Sequence, residues 1–264
     1  MSVPMQLTFS FVSPVPNVAK RGAKARGSGN WAWVEASVWT KRMLAALDNG
    51  VKGGKWFSLI DKVYSPNTLK AAWKKVAANR GAAGVDKISI KRFRSKASFY
   101  LTELERELQD GTFQPSAVRR VHIPKDGKKT RPLGIPTVKD RIVQTALKMV
   151  LEPIFEKEFL PTSYGFRPGR GCKDALREVD RLLKEGYTWV VDADVKSYFD
   201  SIPHDRLMER IRKRISDGKV LHLIELFLNQ EILEDLKLWN PTSGTPQGAV
   251  LTPRTQKATL YFYG

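Results

Sequence analysis

Apolar side chains recur at helical spacing in several separate stretches of this chain and alternate with polar ones in only a few. Ser65-Pro66 reads as a cap followed by a first-turn proline, and Leu69, Ala72, Trp73 and Val76 then mark one helix face. Lys70, Lys74 and Lys75 lie off that stripe, and Gly81 stops the helix. A second helix is predicted through Phe93, Ala97, Leu101, Leu104 and Leu108 to Gly111, after a turn at Gly84-Val85-Asp86. Thr137 opens a longer helix with Asp140 three residues on, a capping-box-like pair. Its stripe is Ile142, Val143, Ala146, Leu147, Val150, Leu151 and Ile154.

A further stripe, Cys172, Ala175, Leu176, Val179, Leu182 and Leu183, ends at Gly186 and predicts a helix that buries Cys172 as an inert thiol. Two more helices follow on Leu207, Ile211 and Ile215, then Val220, Leu221, Ile224, Phe227 and Leu228. Strand character is confined to two places. Val118, Val121 and Ile123 alternate with Arg119, Arg120 and His122, and a basic turn leads into a second short strand at residues 131–136, which together predict a hairpin. Residues 187–195 read as a buried strand. Hairpins and helices without regular strand–helix–strand alternation place the fold in the α+β class.

Charge changes the picture. The 45 Lys+Arg and 27 Asp+Glu give +18 overall, but residues 1–150 hold 28 basic and 10 acidic side chains while residues 151–264 hold 17 of each. A basic half joined to a balanced half suits a polyanionic partner on one side and other work on the other. One cysteine and three scattered histidines exclude an intrachain disulfide and a zinc site. Residues 1–19 carry no charge, yet Pro4, Pro14, Pro16, Gln6 and Asn17 break any membrane-spanning run. They read, with the Gly- and base-rich residues 20–30, as a flexible basic N-terminal tail. The expectation is a cytoplasmic chain that engages no membrane.

The strongest candidate chemistry is WVVDADVKSYFD, residues 189–200. On a strand, Asp192 and Asp194 share a face at the C-terminal end of an apolar run, where Mg²⁺ is the natural ion. An ordinary pair of strand-end carboxylates is the equal alternative. The hairpin tip, with Lys125, Lys128, Lys129 and Arg131, suits phosphates or is a solvated loop. SYGFRPGRG, residues 163–171, gathers Tyr164, Phe166, Arg167 and Arg170 in a glycine-softened loop. Such a loop suits bases and phosphates of single strands, or forms a packing corner. SGTPQGAVLTP, residues 243–253, presents Gln247 in a Gly/Pro turn.

In this order these motifs resemble the reverse transcriptases encoded by group II introns: the basic hairpin into RPLGIPTVKDRIVQ, then SYGFRPGRG, DVKSYFD and SGTPQG. Residues 53–86 resemble the N-terminal extension of that family, and the likeness covers residues 30–253. It implies an RNA-directed DNA polymerase with helix-rich fingers, short antiparallel strands and an incomplete palm, working by two-metal nucleotidyl transfer with Mg²⁺. It also implies four parts: residues 1–30 as the tail, 31–100 as the N-terminal extension, 101–186 as fingers and 187–264 as palm. Residue by residue, Asp194 matches a catalytic, metal-binding aspartate and the Val195 carbonyl its companion ligand. Lys125, Arg131, Phe199 and Gln247 match nucleotide-binding positions. Arg141 and Tyr164, Phe166, Arg167 and Arg170 match positions near template and primer. Asp192 has no firm counterpart. The implied partners are template RNA, group II intron RNA, a DNA primer and dNTP. A non-catalytic, maturase-like module that binds intron RNA is the alternative.

The likeness has an edge. The sequence contains no Tyr-x-Asp-Asp, and residues 254–264 are read as leaving the family pattern, as a frameshift or early stop near residue 253 would produce. One aspartate cannot hold two divalent ions about 3.5–4 Å apart, so little or no polymerase activity is expected of these residues alone. An uncovered strand edge and uncovered apolar helix faces are expected as well.

Overall fold

The computed structural model describes residues 31–124, 130–195 and 201–244, together with the backbone of Leu7–Val12. Its centre is α6 (Val138–Glu156), reached after α1 (Lys41–Asn49), α2 (Ile60–Tyr64), α3 (Pro66–Ala78), α4 (Ile90–Ser95) and α5 (Ala97–Asp110). The α6 stripe is buried as its spacing predicts, from Ile142 through Leu147 to Ile154. Thr137 caps it: the Thr137 hydroxyl accepts from Asp140 N–H at 3.1 Å and donates to the Asp140 carboxylate at 2.8 Å.

Helix α3 packs its own buried stripe, Leu69, Ala72 and Val76, with Pro66 in the first turn where its missing N–H costs nothing. The stretch read as one helix over residues 93–111 is two. Helices α4 and α5 meet at Lys96, whose φ of −128° breaks the helical path, and Gly111 closes α5 in the left-handed region at φ 75°. One hydrophobic cluster joins residues from Val38 to Leu228, so the segment before α3 shares its core with α8 (His204–Arg212) and α9 (Gly218–Leu228).

Long-range hydrogen bonds at Trp39 and Trp56 fix that arrangement. The Trp39 indole donates to the Met149 carbonyl at 3.0 Å across the core. Trp56 forms a parallel bridge with Ile215, its N–H donating to Arg214 O at 2.7 Å and its carbonyl accepting from Ser216 N–H at 2.8 Å. Ile215, read as the end of a helical stripe, therefore lies beyond α8 on this bridge and is fully buried there.

Strands β2 (Val118–Pro124) and β3 (Thr130–Ile135) form the predicted hairpin. The sheet has four strands in the order β3-β2-β5-β6 because β5 (Ile232–Glu234) adds parallel to β2, and β6 (Lys237–Trp239) turns back on β5. This second hairpin is unannounced by the apolar pattern: three residues a side are too few to establish alternation.

Strand β4 (Val190–Val195) lies apart from that sheet. It pairs antiparallel with β1 (Leu7–Val12), with Thr8 opposite Asp194 and Ser10 opposite Asp192. Residues 7–12, read as part of the flexible tail, are thus a strand; LTFSFV alternates apolar and polar residues, a pattern that the neighbouring prolines obscured. Two further expectations are corrected. Strand β4 is exposed rather than buried, with Val191 at 65% and Trp189, just before the strand, also open. Helix α7 (Cys172–Lys184) has its predicted stripe but buries no residue, so Leu176 is 66% exposed and Cys172 is exposed rather than packed. Periodicity shows that a helix has an apolar face; it does not supply the surface that covers it.

Candidate nucleic-acid interface

Helix α3 buries its apolar stripe against α6 and so turns Lys70, Lys74 and Lys75 outward. With Glu35, Ser37 and Asn67 these lysines line an open cleft of roughly 450 Å³. Lys75 pairs with Glu35 at 3.5 Å. Cations along one exposed helix face suit a phosphate backbone, which needs charge in a row more than any single tight bond.

The second basic element is the β2–β3 hairpin. Arg131 sits exposed on β3 opposite Ile123. Lys125 lies outside the described residues, as do Phe199 and Gln247.

At the base of that hairpin, Arg141 and Arg119 do structural work. Arg141 donates to Ala82 O at 2.7 Å and to Thr137 O at 3.3 Å, and Arg119 donates to Ala83 O at 2.8 Å. Gly84 completes the clasp. A Cβ there would stand 2.8 Å from the Thr137 backbone, too close for any side chain. Burial lowers the pKa of the Arg141 guanidinium, with Asp86 and Asp140 opposing the shift.

Asp140 below it is nearly fully buried, and burial pushes its carboxyl up to about 7 against bonds from Thr137 and the Ser116 N–H. Gln230 closes the group, donating to Ser116 O and, at 3.4 Å, to Asp140.

The loop at residues 161–171 brings its four predicted residues together but uses them unequally. Arg167 is turned inward. It donates to Glu156 at 2.7 Å, to Leu160 O at 2.7 Å and to Ser163 O at 2.9 Å, and lies 5.4 Å from the Phe159 ring centroid. Arg170 bonds the Pro161 carbonyl and stands over Tyr164 at 5.7 Å. Phe166 points out, 66% exposed at φ 53°, a backbone region that costs a side chain and is held here by the loop's own bonds. Arg167 thus shapes the loop, while Phe166 and the Arg170–Tyr164 stack form its outer surface.

Asp194 stands near the end of β4, exposed, with Asp192 two positions before it on the same face and Val195 after it. No group of three or more His, Cys, Asp or Glu placed to hold a metal exists among the described residues. A two-ion site needs several bridging carboxylates. Asp194 and Asp192 alone do not make up such a donor set.

Sequence reasoning passed over three features of the site region. Asp217, whose carboxylate accepts Leu59 N–H and Val220 N–H, the Arg119 clasp, and Arg120 paired with Glu234 and lying over Trp239 on the sheet are all tertiary. Only Asp217, a cap-type residue directly before the α9 stripe, left a local signal.

Residues 123–261 match the reverse transcriptase (RNA-dependent DNA polymerase) family, so the likeness runs past residue 253, where the family pattern was read as ending. The chain is 39% identical over 202 residues to protein YkfC of Escherichia coli K12, covering 74% of this chain and 53% of that protein. It is 38% identical over 191 residues to the group II intron-encoded protein LtrA of Lactococcus lactis subsp. cremoris, covering 71% and 31%. Among solved structures, a chain of a partial Cas6-RT-Cas1–Cas2 complex superposes with a TM-score of 0.54 over 77% of this chain and 34% of its own, at 23% identity, a likeness of fold. The chain spans about half the length of YkfC and about a third of LtrA. No helix among the described residues is long and apolar enough to cross a membrane. By its match over more than half its length, the chain belongs to the reverse transcriptase (RNA-dependent DNA polymerase) family.

Proposed function

We propose that this chain grips RNA and forms the fingers, with part of the palm, of an RNA-directed DNA polymerase of the group II intron kind. One observation carries the reading: residues 123–261 match the family in a single run that takes in the end of β2, β3, α6, the 161–171 loop and β4. Its substrates on this reading are template RNA, a DNA primer and dNTP, with intron RNA as the structured partner. Arg131 and Lys125 contact the triphosphate, with Phe199 and Gln247 lining the nucleotide pocket. Asp194 and the Val195 carbonyl supply one part of the divalent-metal site that the family generally uses, with Mg²⁺ as the ion. The four-part division at residues 30, 100 and 186 belongs to the same reading, as does a cytoplasmic location.

A maturase-like role for the N-terminal half has its own support. The α3 lysine cleft lies outside the family match, in the half that holds all of the excess positive charge. RNA held there needs no catalysis.

The test pairs two assays on the 264-residue chain. RNA binding is expected to weaken with salt, and to weaken further when Lys70, Lys74 and Lys75 are changed together to alanine, with a shallower salt slope. Asp194→Ala should leave that binding intact. Magnesium-dependent primer extension by this chain is expected to be absent; extension that Asp194→Ala abolishes would show that the metal site is complete after all. Binding no stronger to structured intron RNA than to unrelated RNA would remove the maturase reading.

A further inference from the structure

One polar group on the four-stranded sheet has no part in the reading above. Arg120 and His122 share a face of β2, being two positions apart. Both reach Glu234 of the neighbouring strand, Arg120 at 3.3 Å and His122 at 3.4 Å. The Arg120 guanidinium also lies over the Trp239 ring, 4.7 Å from its centroid. Lys237, opposite Glu234, is exposed on the same face. Across the hairpin the partners of Arg120 and His122 are Gly134 and Pro132, so β3 adds little bulk to this side of the sheet.

Register decides what this face is not. Arg131 stands opposite Ile123, on the other side of the sheet, so the face carrying Trp239 is turned away from the residue matched to the triphosphate. Trp239 nonetheless remains 39% exposed, and the turn between β5 and β6, Asp235-Leu236, holds both residues at positive φ with Leu236 95% exposed. Glu234 is occupied within the group, pairing with the guanidinium that lies over the indole. What is offered outward is an aromatic ring with a partly exposed cation over it, and Lys237 beside it.

We infer that this face is a second contact for single-stranded RNA, in which an unpaired base stacks on Trp239 and the adjoining phosphate meets Arg120 and Lys237. A planar ring backed by a guanidinium accepts any base, and the strongly basic chain complements the phosphates. The inference rests on the RNA-binding reading but names a different surface from the α3 cleft.

Affinity for a short fluorescein-labelled oligoadenylate, measured against salt, tests it. Trp239→Ala should weaken binding about tenfold with the salt slope unchanged, since stacking releases no counterions. Trp239→Phe should recover most of the loss, and binding of an A-form RNA duplex, whose bases are already stacked, should not respond to either change. Unaltered oligoadenylate affinity in Trp239→Ala overturns the inference. So does an equal loss in the alanine and phenylalanine variants, which would mark Trp239 as a packing residue. A wild-type chain that binds no RNA at all sinks the functional reading itself. RNA binding that depends on the α3 lysines but ignores Trp239 sinks only this inference.

Discussion

The carboxylate of Asp217 accepts the backbone N–H of Leu59 at 2.6 Å, although the two residues are 158 positions apart. The same oxygen takes the Ile60 N–H at 2.9 Å, and the other takes Val220 N–H at 3.1 Å. One side chain thus satisfies the open N-termini of α2 and α9 together and ties the segment before α3 to the region after β4. Asp217→Ala leaves buried N–H groups unpaired at both helices and is expected to cost about 2–4 kcal/mol. Urea unfolding measures this; a loss below about 1 kcal/mol would mean that water replaces the carboxylate.

Asp140 gives the fold a pH dependence of a defined sign. Its carboxyl is raised from 3.8 to about 7 by burial, so the folded chain keeps a proton that the unfolded chain has lost. Its contribution to stability is full below about pH 4 and falls as pH rises through 7, by about 1.4 kcal/mol per unit within that window. Asp140→Asn should remove that slope. Unfolding free energies of the two proteins at pH 5 and pH 7.5 give the comparison, and an identical pH response in both would refute the assignment.

Arg167 should behave as a structural residue. Its guanidinium bonds Glu156 Oε1 and two carbonyls from a site that is almost closed to solvent. Arg167→Ala strands a buried carboxylate and is expected to destabilise the chain by about 3 kcal/mol. Arg167→Lys should recover little of this, because an ammonium cannot reproduce the fork. Phe166→Ala should leave thermal stability unchanged while weakening single-stranded RNA binding. Differential scanning fluorimetry and a filter-binding assay separate the two, and the reverse pattern would exchange their roles.

Leu236 occupies a left-handed position, φ 63°, in the two-residue turn between β5 and β6. Asparagine tolerates that region better than leucine, and a fully solvated leucine gains nothing from packing there. Leu236→Asn is expected to stabilise the chain by about 0.5 kcal/mol. A lowered melting temperature would show that Leu236 is held by contacts that this turn geometry does not reveal.

The elements that formed as the sequence foretold are those whose signals are local. Pro66 and Thr137 start α3 and α6 because a fixed φ and a hydroxyl acceptor act within one turn. The β2–β3 hairpin follows from alternation around a short basic turn. The family itself was legible because its motifs stand in order along the chain. What the tertiary structure alone decided is which apolar faces find a partner and which polar groups meet across distance. The α6 stripe and the α7 stripe look alike in sequence, yet α6 is enclosed by the rest of the core and α7 buries nothing. The edge of β4 is taken by residues 7–12, and Asp217, Arg119 and Trp239 gained their roles from neighbours far along the chain. Burial and long-range pairing depend on what surrounds a residue in space, and periodicity along the chain carries no record of that.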